Sequence, residues 1–498
     1  MTTQIIQWEG DVLNRREIAL FLERLVLKKI ESGRVSPNVN ALCFALDGDW
    51  GTGKTFFVKK WIEDLRNSKY PVIHFDAWIN DLTDDPLVGF MAYLKSSLEA
   101  LIKRLPLSER VEAKKKATEL MQQAGRAVGI ITKSVAKKYL GNEIEELSGL
   151  SIKSNELNED DKKILITEGV DKFFEESLQS HTDKMEAIGA LKNSIEQLLE
   201  YLNDKTEYQL PMFIFIDELD RCRPDYAIRL LEGIKHLFDA KNVCFVVSTN
   251  MTQLSESVKA VYGSGFDAYR YLKRFFAFEY SLPEPDYDAF ALMLVNDSIL
   301  ASTNLRVFSG LPEESPTRSK IEIMAANFAM IAKAFNMDLR SQQQSFRNAE
   351  AAISAIDDSE PFYCFYMFFW SALYHYNKVY FEKIINSPEI ALNLEQGQCH
   401  FLDRDIPYLY TVRDRNNGFG QRREQKIIKV SEVFKKYIEM ANKTIQQITR
   451  MQIEHEYPHT IKHDIQTRFF NRYHSINENN YPFLSQYPNL IKMAGQIK

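Results

Sequence analysis

The sequence is poor in cysteine, and the few it has are not spaced as a disulfide or metal framework requires. Five are scattered through 498 residues, at Cys43, Cys222, Cys244, Cys364 and Cys399. No two of them form a Cys-x-x-Cys pair, and any set of disulfides would leave one over. This pattern is typical of reduced thiols, so we expect a cytoplasmic protein without disulfides.

The sequence also lacks a hydrophobic run that could cross a membrane, which takes about 18–20 apolar residues. The best candidate, residues 361–376, is very aromatic but too short, and charged residues flank it. We therefore predict a buried helix there and no membrane partner. Residues 1–16 are polar and charged, which is unlike a secretory signal.

Positive charge is not in excess either. The 62 Lys and Arg residues against 68 Asp and Glu give a net charge of −6. That balance argues against a wholly cationic surface for nucleic acid or anionic lipid. His455, His459 and His463 have helical spacing, but Pro458 would break such a helix, so we expect no metal site there.

One phosphate-binding motif is present in full. Residues 48–55 fit the pattern GxxxxGK[ST], after the strand-like residues 41–46 and before the helix-like residues 53–64. Glycines let backbone N–H groups turn toward phosphate, and a helix start favours an anion. We expect Lys54 on the β- and γ-phosphates and Thr55 on Mg²⁺. The residues expected to bind nucleotide are Gly48, Trp50, Gly51, Thr52, Gly53, Lys54, Thr55 and Phe56.

A second motif completes the predicted site. The apolar strand Met212–Ile216 is followed directly by Asp217 and Glu218. A buried strand that delivers an acid at its carboxyl end is the Walker B arrangement. We assign Asp217 to magnesium and Glu218 to the general base that activates the attacking water. The motif is weak alone, but its position after a complete P-loop makes the pair strong.

Three further residues are candidates for the same site. Asn250 or Thr249 ends the next strand, where a polar side chain can touch the γ-phosphate or the water; a plain strand-end turn is the alternative. Arg274 could act as an arginine finger on a neighbouring subunit, or belong to a surface basic pair. Arg340 could reach phosphate from a helical lid, or lie on a solvated face.

The order of apolar runs and helical patterns indicates an α/β fold, with a parallel sheet that has helices on both faces. We predict a P-loop core over residues 1–285, interrupted by a soluble helical insertion at about 103–205. A helical lid is expected at 286–390, after the proline-rich residues 282–286. Residues 391–498 are expected to be a mostly helical C-terminal region of unknown role.

The motifs resemble those of the KAP family of P-loop NTPases, which is related to the AAA+ and STAND ATPases. Residues 215–222 (FIDELDRC) resemble its extended Walker B, and 74–78 (HFDAW) its element after the second strand. Residues 271–283 resemble the end of its core. Asp76 stands where the family often has Asn. A contact of this residue with Glu218, of the kind proposed as a switch in the family, would bring two carboxylates together, and they would repel each other.

The resemblance implies an intracellular ATPase that couples ATP and Mg²⁺ to a conformational or assembly switch. It suggests a homo-oligomer or partner effector proteins, and a role in bacterial antiviral defence. Two alternatives stay open. One is a nucleotide-stabilised scaffold without significant turnover. The other is a DNA-acting ATPase that uses the basic stretch at residues 413–429, although a solvated or protein-docking loop is the simpler interpretation of that stretch.

Overall fold

A computed structural model describes most of the chain. The described residues are 8–35, 42–83, 85–139, 186, 188–237, 240–308, 319–357, 361–388, 404–413, 421–450 and 483–496. Contacts divide the chain into two units. The first comprises Met1–Glu9 and Asn14–Pro283, and the second comprises Gly10–Leu13 and Glu284–Lys498.

The first unit is built on a five-stranded parallel sheet. Its strands are β1 (Leu42–Asp47), β2 (Val72–Asp76), β3 (Met212–Asp217), β4 (Val243–Thr249) and β5 (Phe278–Ser281), in the spatial order β2-β3-β4-β1-β5. The register pairs Asp76 with Asp217, Asp217 with Ser248, and Asp47 with Thr249. Polar residues at the carboxyl ends of four strands therefore meet at one edge, where parallel α/β sheets bind their ligands.

Helices cover both faces of this sheet because its strands are apolar on both sides. Phe213 and Phe215 pack into one core with Trp61, while Ile214 and Ile216 pack into the other core, on the opposite face. The helices are α1 (Arg15–Val35), α2 (Lys54–Asn67), α3 (Pro86–Ile102), α4 (Leu107–Tyr139), α5 (residues 188–205), α6 (Pro224–Ile234), α7 (Met251–Tyr262) and α8 (Ala268–Leu272). The first two lie on the Trp61 face, and helices α3 to α7 contribute to the other core.

The second unit is mainly helical and packs around one aromatic helix. Its helices are α9 (Tyr287–Asn296), α10 (Lys320–Ala334), α11 (Leu339–Ile353), α12 (Cys364–Tyr376), α13 (Lys378–Asn386), α14 (Val430–Ala441), α15 (Ile445–Arg450) and α16 (Tyr487–Ala494). Every residue of α12 from Cys364 to Leu373 is buried, so the helix is apolar all round, as a central helix must be. Short parallel strands β6 (Arg306–Phe308) and β7 (Pro361–Tyr363) pair within the unit.

These elements confirm the predicted fold class and the buried aromatic helix. None of the described helices is long and apolar enough to cross a membrane. An antiparallel hairpin, β8 (Asp405–Arg413) with β9 (Gln421–Lys429), was not predicted. The basic stretch was predicted to be a loop, and that was wrong for residues 421–429, because they form β9. Residue 415 lies outside the described residues. The division of the chain at residue 390 stays a prediction.

Candidate functional site

The P-loop connects the end of β1 to the start of α2, and three of its glycines lie in constrained positions. Gly51 and Gly53 have φ angles of 77° and 90°, which side chains with a Cβ rarely adopt. A Cβ on Gly48 would lie 2.9 Å from Oγ1 of Thr52. The Thr52 hydroxyl donates to the carbonyl of Asp49 at 2.8 Å, which closes the turn. The sequence-predicted loop is thus folded as a tight turn, of the kind that can surround an anion with backbone N–H groups.

Lys54 lies inside this turn. Its ammonium donates to the carbonyl oxygen of Gly48 and, at 3.1 Å, to that of Asp49. Burial lowers the pKa of Lys54, and the carboxylates of Asp220 and Asp47 oppose that shift. Uncharged carbonyls are weaker acceptors than phosphate oxygens, so an incoming phosphate would compete well for this ammonium.

Asp217 and Glu218 lie beside the P-loop helix, at the end of β3. Asp217 is only 2% exposed, and its Oδ2 lies 3.7 Å from Nε2 of His74. Glu218 has a left-handed backbone, with φ of 60°. Its Oε1 accepts a hydrogen bond from Oγ1 of Thr55 at 3.1 Å. The two sequence motifs therefore meet directly.

The pKa of Glu218 is raised chiefly by burial, and next by the adjacent Asp217 carboxylate. The Arg221 guanidinium and the Thr55 hydroxyl act in the opposite direction. Nε of Arg221 lies 2.5 Å from Oε2 of Glu218, so both carboxylate oxygens have partners. Thr55 and Arg221 therefore hold the Glu218 carboxylate in a partly buried position close to the carboxylates of Asp217 and Asp220.

Asp220 is a further carboxylate of the site, beside Asp217 and Glu218, and its role was not predicted from the sequence. It is 8% exposed. Its Oδ2 accepts from the Trp50 indole at 2.6 Å and its Oδ1 from the Thr249 hydroxyl at 3.2 Å. Asp220 thereby joins the P-loop, the end of β4 and the turn after β3.

Asn250 also reaches the P-loop. Its Nδ2 donates to the Asp49 carboxylate at 3.0 Å, while its Oδ1 caps α7 by accepting from the backbone N–H of Gln253. The side chain is 4% exposed. The structure thus brings Asn250 to the predicted pocket, and gives it a helix-capping role as well.

Asp76 and Phe56 occupy the edges of the site. The Asp76 carboxylate accepts from the backbone N–H of Ile79 at 3.0 Å, so this oxygen is satisfied within its own loop. Among the described contacts Glu218 pairs with Arg221 and Thr55, and no contact with Asp76 is present. Phe56 is 38% exposed, and its ring meets that of Trp8 edge to face at 6.4 Å.

The two predicted arginines are exposed side chains outside this cluster of contacts. Arg274 lies in the turn between α8 and β5, and none of the hydrogen bonds or ion pairs of the described residues joins it to the P-loop. Arg340 lies in the first turn of α11, in the second unit. The finger and lid roles of these residues stay predictions. The histidines at 455, 459 and 463 lie outside the described residues.

Arg15 is another residue that sequence reasoning missed. It begins α1 and is 1% exposed. Its guanidinium donates to the carbonyl of Thr52 at 3.3 Å and to that of Pro283 at 2.9 Å. A charged residue at the start of an amphipathic helix is ordinarily exposed, so composition and periodicity did not predict this buried support of the P-loop.

The residues fit a magnesium ion that is held jointly with phosphate. Within the described ranges, no cluster of three His, Cys, Asp or Glu side chains could bind a metal unaided. The Thr55 hydroxyl and the Asp217 carboxylate lie on neighbouring elements, both adjacent to Glu218. Oxygen ligands of this kind and number suit Mg²⁺, which usually keeps several waters and binds substrate phosphates.

One comparison with known proteins identifies a P-loop domain in this part of the chain. A family model described as the KAP family P-loop domain matches residues 28–349. An uncharacterised protein of Methanocaldococcus jannaschii is 28% identical over 180 residues, which is 35% of this chain and 87% of that protein. The structure of C. elegans PCH-2 aligns with 72% of this chain and 68% of its own, at 12% identity and a TM-score of 0.29. A likeness that low carries no weight for fold or function.

Proposed function

Because this chain belongs to the KAP family of P-loop NTPases, we propose that it hydrolyses ATP with magnesium to drive a conformational or assembly switch. Membership in a P-loop family makes it a nucleotide-binding protein. The choice of ATP over other nucleoside triphosphates rests on the family resemblance, because a P-loop contacts phosphates and not the base.

One observation carries the proposal of hydrolysis rather than binding alone. Oε1 of Glu218 lies 3.1 Å from Oγ1 of Thr55, the P-loop hydroxyl expected to face magnesium. A carboxylate at that place is within reach of a water beside the terminal phosphate. In the proposed reaction the water oxygen bonds to the γ-phosphorus, the bond to ADP breaks, and Glu218 accepts the water proton.

The other residues would bind and orient the substrate. The backbone of residues 48–55 and Lys54 would hold the phosphates, and Thr55 and Asp217 would hold magnesium. That ion would neutralise negative charge on the phosphate oxygens. Asn250, which is tied to Asp49 at 3.0 Å, would orient the water or the γ-phosphate from the end of β4. Positioning and electrostatics of this kind supply most of the catalysis in phosphoryl transfer.

The test is the variant Glu218→Gln, compared with wild type and with Glu256→Gln, an exposed glutamate on α7. We expect phosphate release to fall by about 10²- to 10⁴-fold, the usual contribution of a general base. Binding of ATP, measured by calorimetry, should persist. Full turnover in Glu218→Gln, or no turnover in wild type alone or with its natural partners, would refute the proposal.

A specific observation also favours a second function, a nucleotide-stabilised scaffold without significant turnover. Both oxygens of Glu218 already have partners, Thr55 and Arg221, and both partners lower the pKa of this carboxyl, which makes it a weaker base. If the scaffold is correct, ATP should raise the melting temperature. Glu218→Gln should then leave the biological activity intact.

We place the activity in the cytoplasm, in an oligomer or with partner effector proteins, as part of bacterial antiviral defence. The four buried thiols of the described residues support a reducing compartment, and the family resemblance supports the rest. Bacteria that carry wild type or Glu218→Gln, challenged with phage, provide the test. Equal phage yields in cells with and without the wild-type gene would contradict the defence role.

A further inference from the structure

Arg221 contacts the carboxylate to which the proposed function assigns the chemistry. Its Nε lies 2.5 Å from Oε2 of Glu218, three residues before it in the chain. The two side chains are 27% and 13% exposed, so water competes only in part for this ion pair. The last torsion of a glutamate side chain is broad and settles in no sharp well. A donor on Oε2 therefore fixes where Oε1 points.

Arg221 is itself held by an aromatic ring. Its guanidinium carbon lies 5.7 Å from the ring centroid of Trp78, within the range of a cation–π contact. The Trp78 ring is 54% exposed. Its neighbour Ala77 is fixed to the sheet, since the N–H of Ala77 donates to the carbonyl of Asp217 at 2.9 Å.

The segment after β2 and the segment after β3 are also joined by a second arginine. Nε of Arg223 lies 2.9 Å from Oδ1 of Asp81, its backbone N–H donates to Oδ2, and its guanidinium donates to the Asp81 carbonyl. Arg221 and Arg223 thus flank Cys222 and bind the same loop. Arg221 contacts Glu218, whereas the described hydrogen bonds of Arg223 are to Asp81. This difference makes Arg223 a natural control.

We propose that Arg221 is a positioning residue for hydrolysis. It holds Oε2 of Glu218, so that Oε1 faces the P-loop hydroxyl of Thr55, and Trp78 holds the guanidinium in place. The inference rests on the proposed function, because positioning matters only if Glu218 activates water. It assigns a role to the tryptophan after β2 and to the arginine after β3. Both lie in segments that resemble motifs of the family, residues 74–78 and 215–222, but neither residue was assigned a role there.

The kinetic test compares Arg221→Gln with Arg223→Gln. Displacement of a reacting group by about 1 Å can lower a rate by about 10²-fold. We expect kcat of Arg221→Gln to fall by about 10- to 100-fold, while KM for MgATP changes by less than about 3-fold. Arg223→Gln should stay within about 3-fold of wild type, because the backbone bond at Ala77 still fixes the loop.

Conservative variants separate positioning from structural support. Arg221→Lys keeps the charge but loses the planar donor that lies over a ring, so its kcat should lie between those of wild type and Arg221→Gln. Trp78→Leu should lower kcat in the same direction by a smaller factor. An unchanged or higher kcat in Arg221→Gln, or a rise in KM that accounts for the whole effect, would overturn the proposal.

A measurement without turnover distinguishes failure of this inference from failure of the proposed function. Melting temperatures of Arg221→Gln, Glu218→Gln and the double variant form a double-mutant cycle. We expect the double variant to lose less stability than the sum of the two single variants. Additive losses would show that the two side chains do not interact, and would overturn the inference. An inactive wild type would refute the proposed hydrolysis and with it the role in positioning, whereas non-additive losses in the cycle would still show the contact between the two side chains.

Discussion

Replacement of Asp220 tests whether the hydrogen bonds of this buried carboxylate outweigh the cost of burying its charge. Asp220 is 8% exposed and accepts hydrogen bonds from Trp50 of the P-loop and Thr249 of β4. It also lies among the acids Asp217 and Glu218, which repel it. We expect Asp220→Ala to destabilise the first unit, because bonds to a charged acceptor are stronger than ordinary ones.

The magnitude follows from the exposure of the two donors. Trp50 is 48% exposed, so water can replace its lost acceptor, and we assign this bond the low end of the range, about 1.5 kcal/mol. Thr249 is 0% exposed, and a buried hydroxyl left without its acceptor costs about 1–3 kcal/mol. Removal of the Asp220 charge also relieves its repulsion by Asp217 and Glu218, which offsets part of this sum. We therefore expect the free energy of unfolding to fall by about 2–3 kcal/mol for Asp220→Ala. It should fall by about 1 kcal/mol for Asp220→Asn, which keeps one acceptor oxygen.

Urea unfolding followed by tryptophan fluorescence measures this loss. Trp8, Trp50, Trp61 and Trp78 belong to the first unit, and the fifth tryptophan belongs to the second, so the signal mainly reports the unit that holds Asp220. Asp204→Ala, an exposed aspartate, is the control and should lie within about 0.5 kcal/mol of wild type. If Asp220→Ala matched this control, or exceeded wild type in stability, our reasoning would be refuted.

Two further predictions concern the ion and the neighbouring subunit. Omission of magnesium, or the variant Asp217→Asn, should abolish phosphate release. The affinity for ATP, measured by calorimetry, should fall by no more than about 10-fold. Full activity in EDTA would contradict the assignment of magnesium to this site. If Arg274 acts as an arginine finger on a neighbouring subunit, Arg274→Ala should lower phosphate release by about 10³-fold. Mixing this variant with Lys54→Ala protein should restore part of the activity, because the Lys54→Ala subunits still carry Arg274. No loss, or no restoration, would count against a finger.

The sequence predicted the sheet and the P-loop because their signals are local. The strand predicted at 41–46 is observed at Leu42–Asp47, and the helix predicted at 53–64 at Lys54–Asn67. Apolar runs of strand length and glycines before a helix depend on near neighbours alone. The hairpin β8–β9 was missed because β9, with the sequence QRREQKIIK, is largely charged and does not alternate as a half-buried strand does.

The supports of the site could not be predicted because they depend on contacts between distant segments. Asp220 and Arg15 are charged residues, which sequence reasoning places at the surface, yet both are buried against the P-loop. Arg221 meets Trp78 only because the register sets Asp76 beside Asp217. The left-handed backbone of Glu218 carries no sequence signal either, since a non-glycine residue with positive φ is uncommon.

The two partners of the Glu218 carboxylate, Thr55 and Arg221, differ in how strongly they bind it. Thr55 belongs to the P-loop, and its hydroxyl oxygen is the atom proposed to coordinate the magnesium ion. Arg221 is held by Trp78 and lies 2.5 Å from Oε2, in a charge-assisted bond stronger than the neutral donor's bond to Oε1. In the proposed reaction, the weaker bond would therefore be the one that breaks when substrate binds. Oε1 would then take the water proton while Arg221 still holds Oε2.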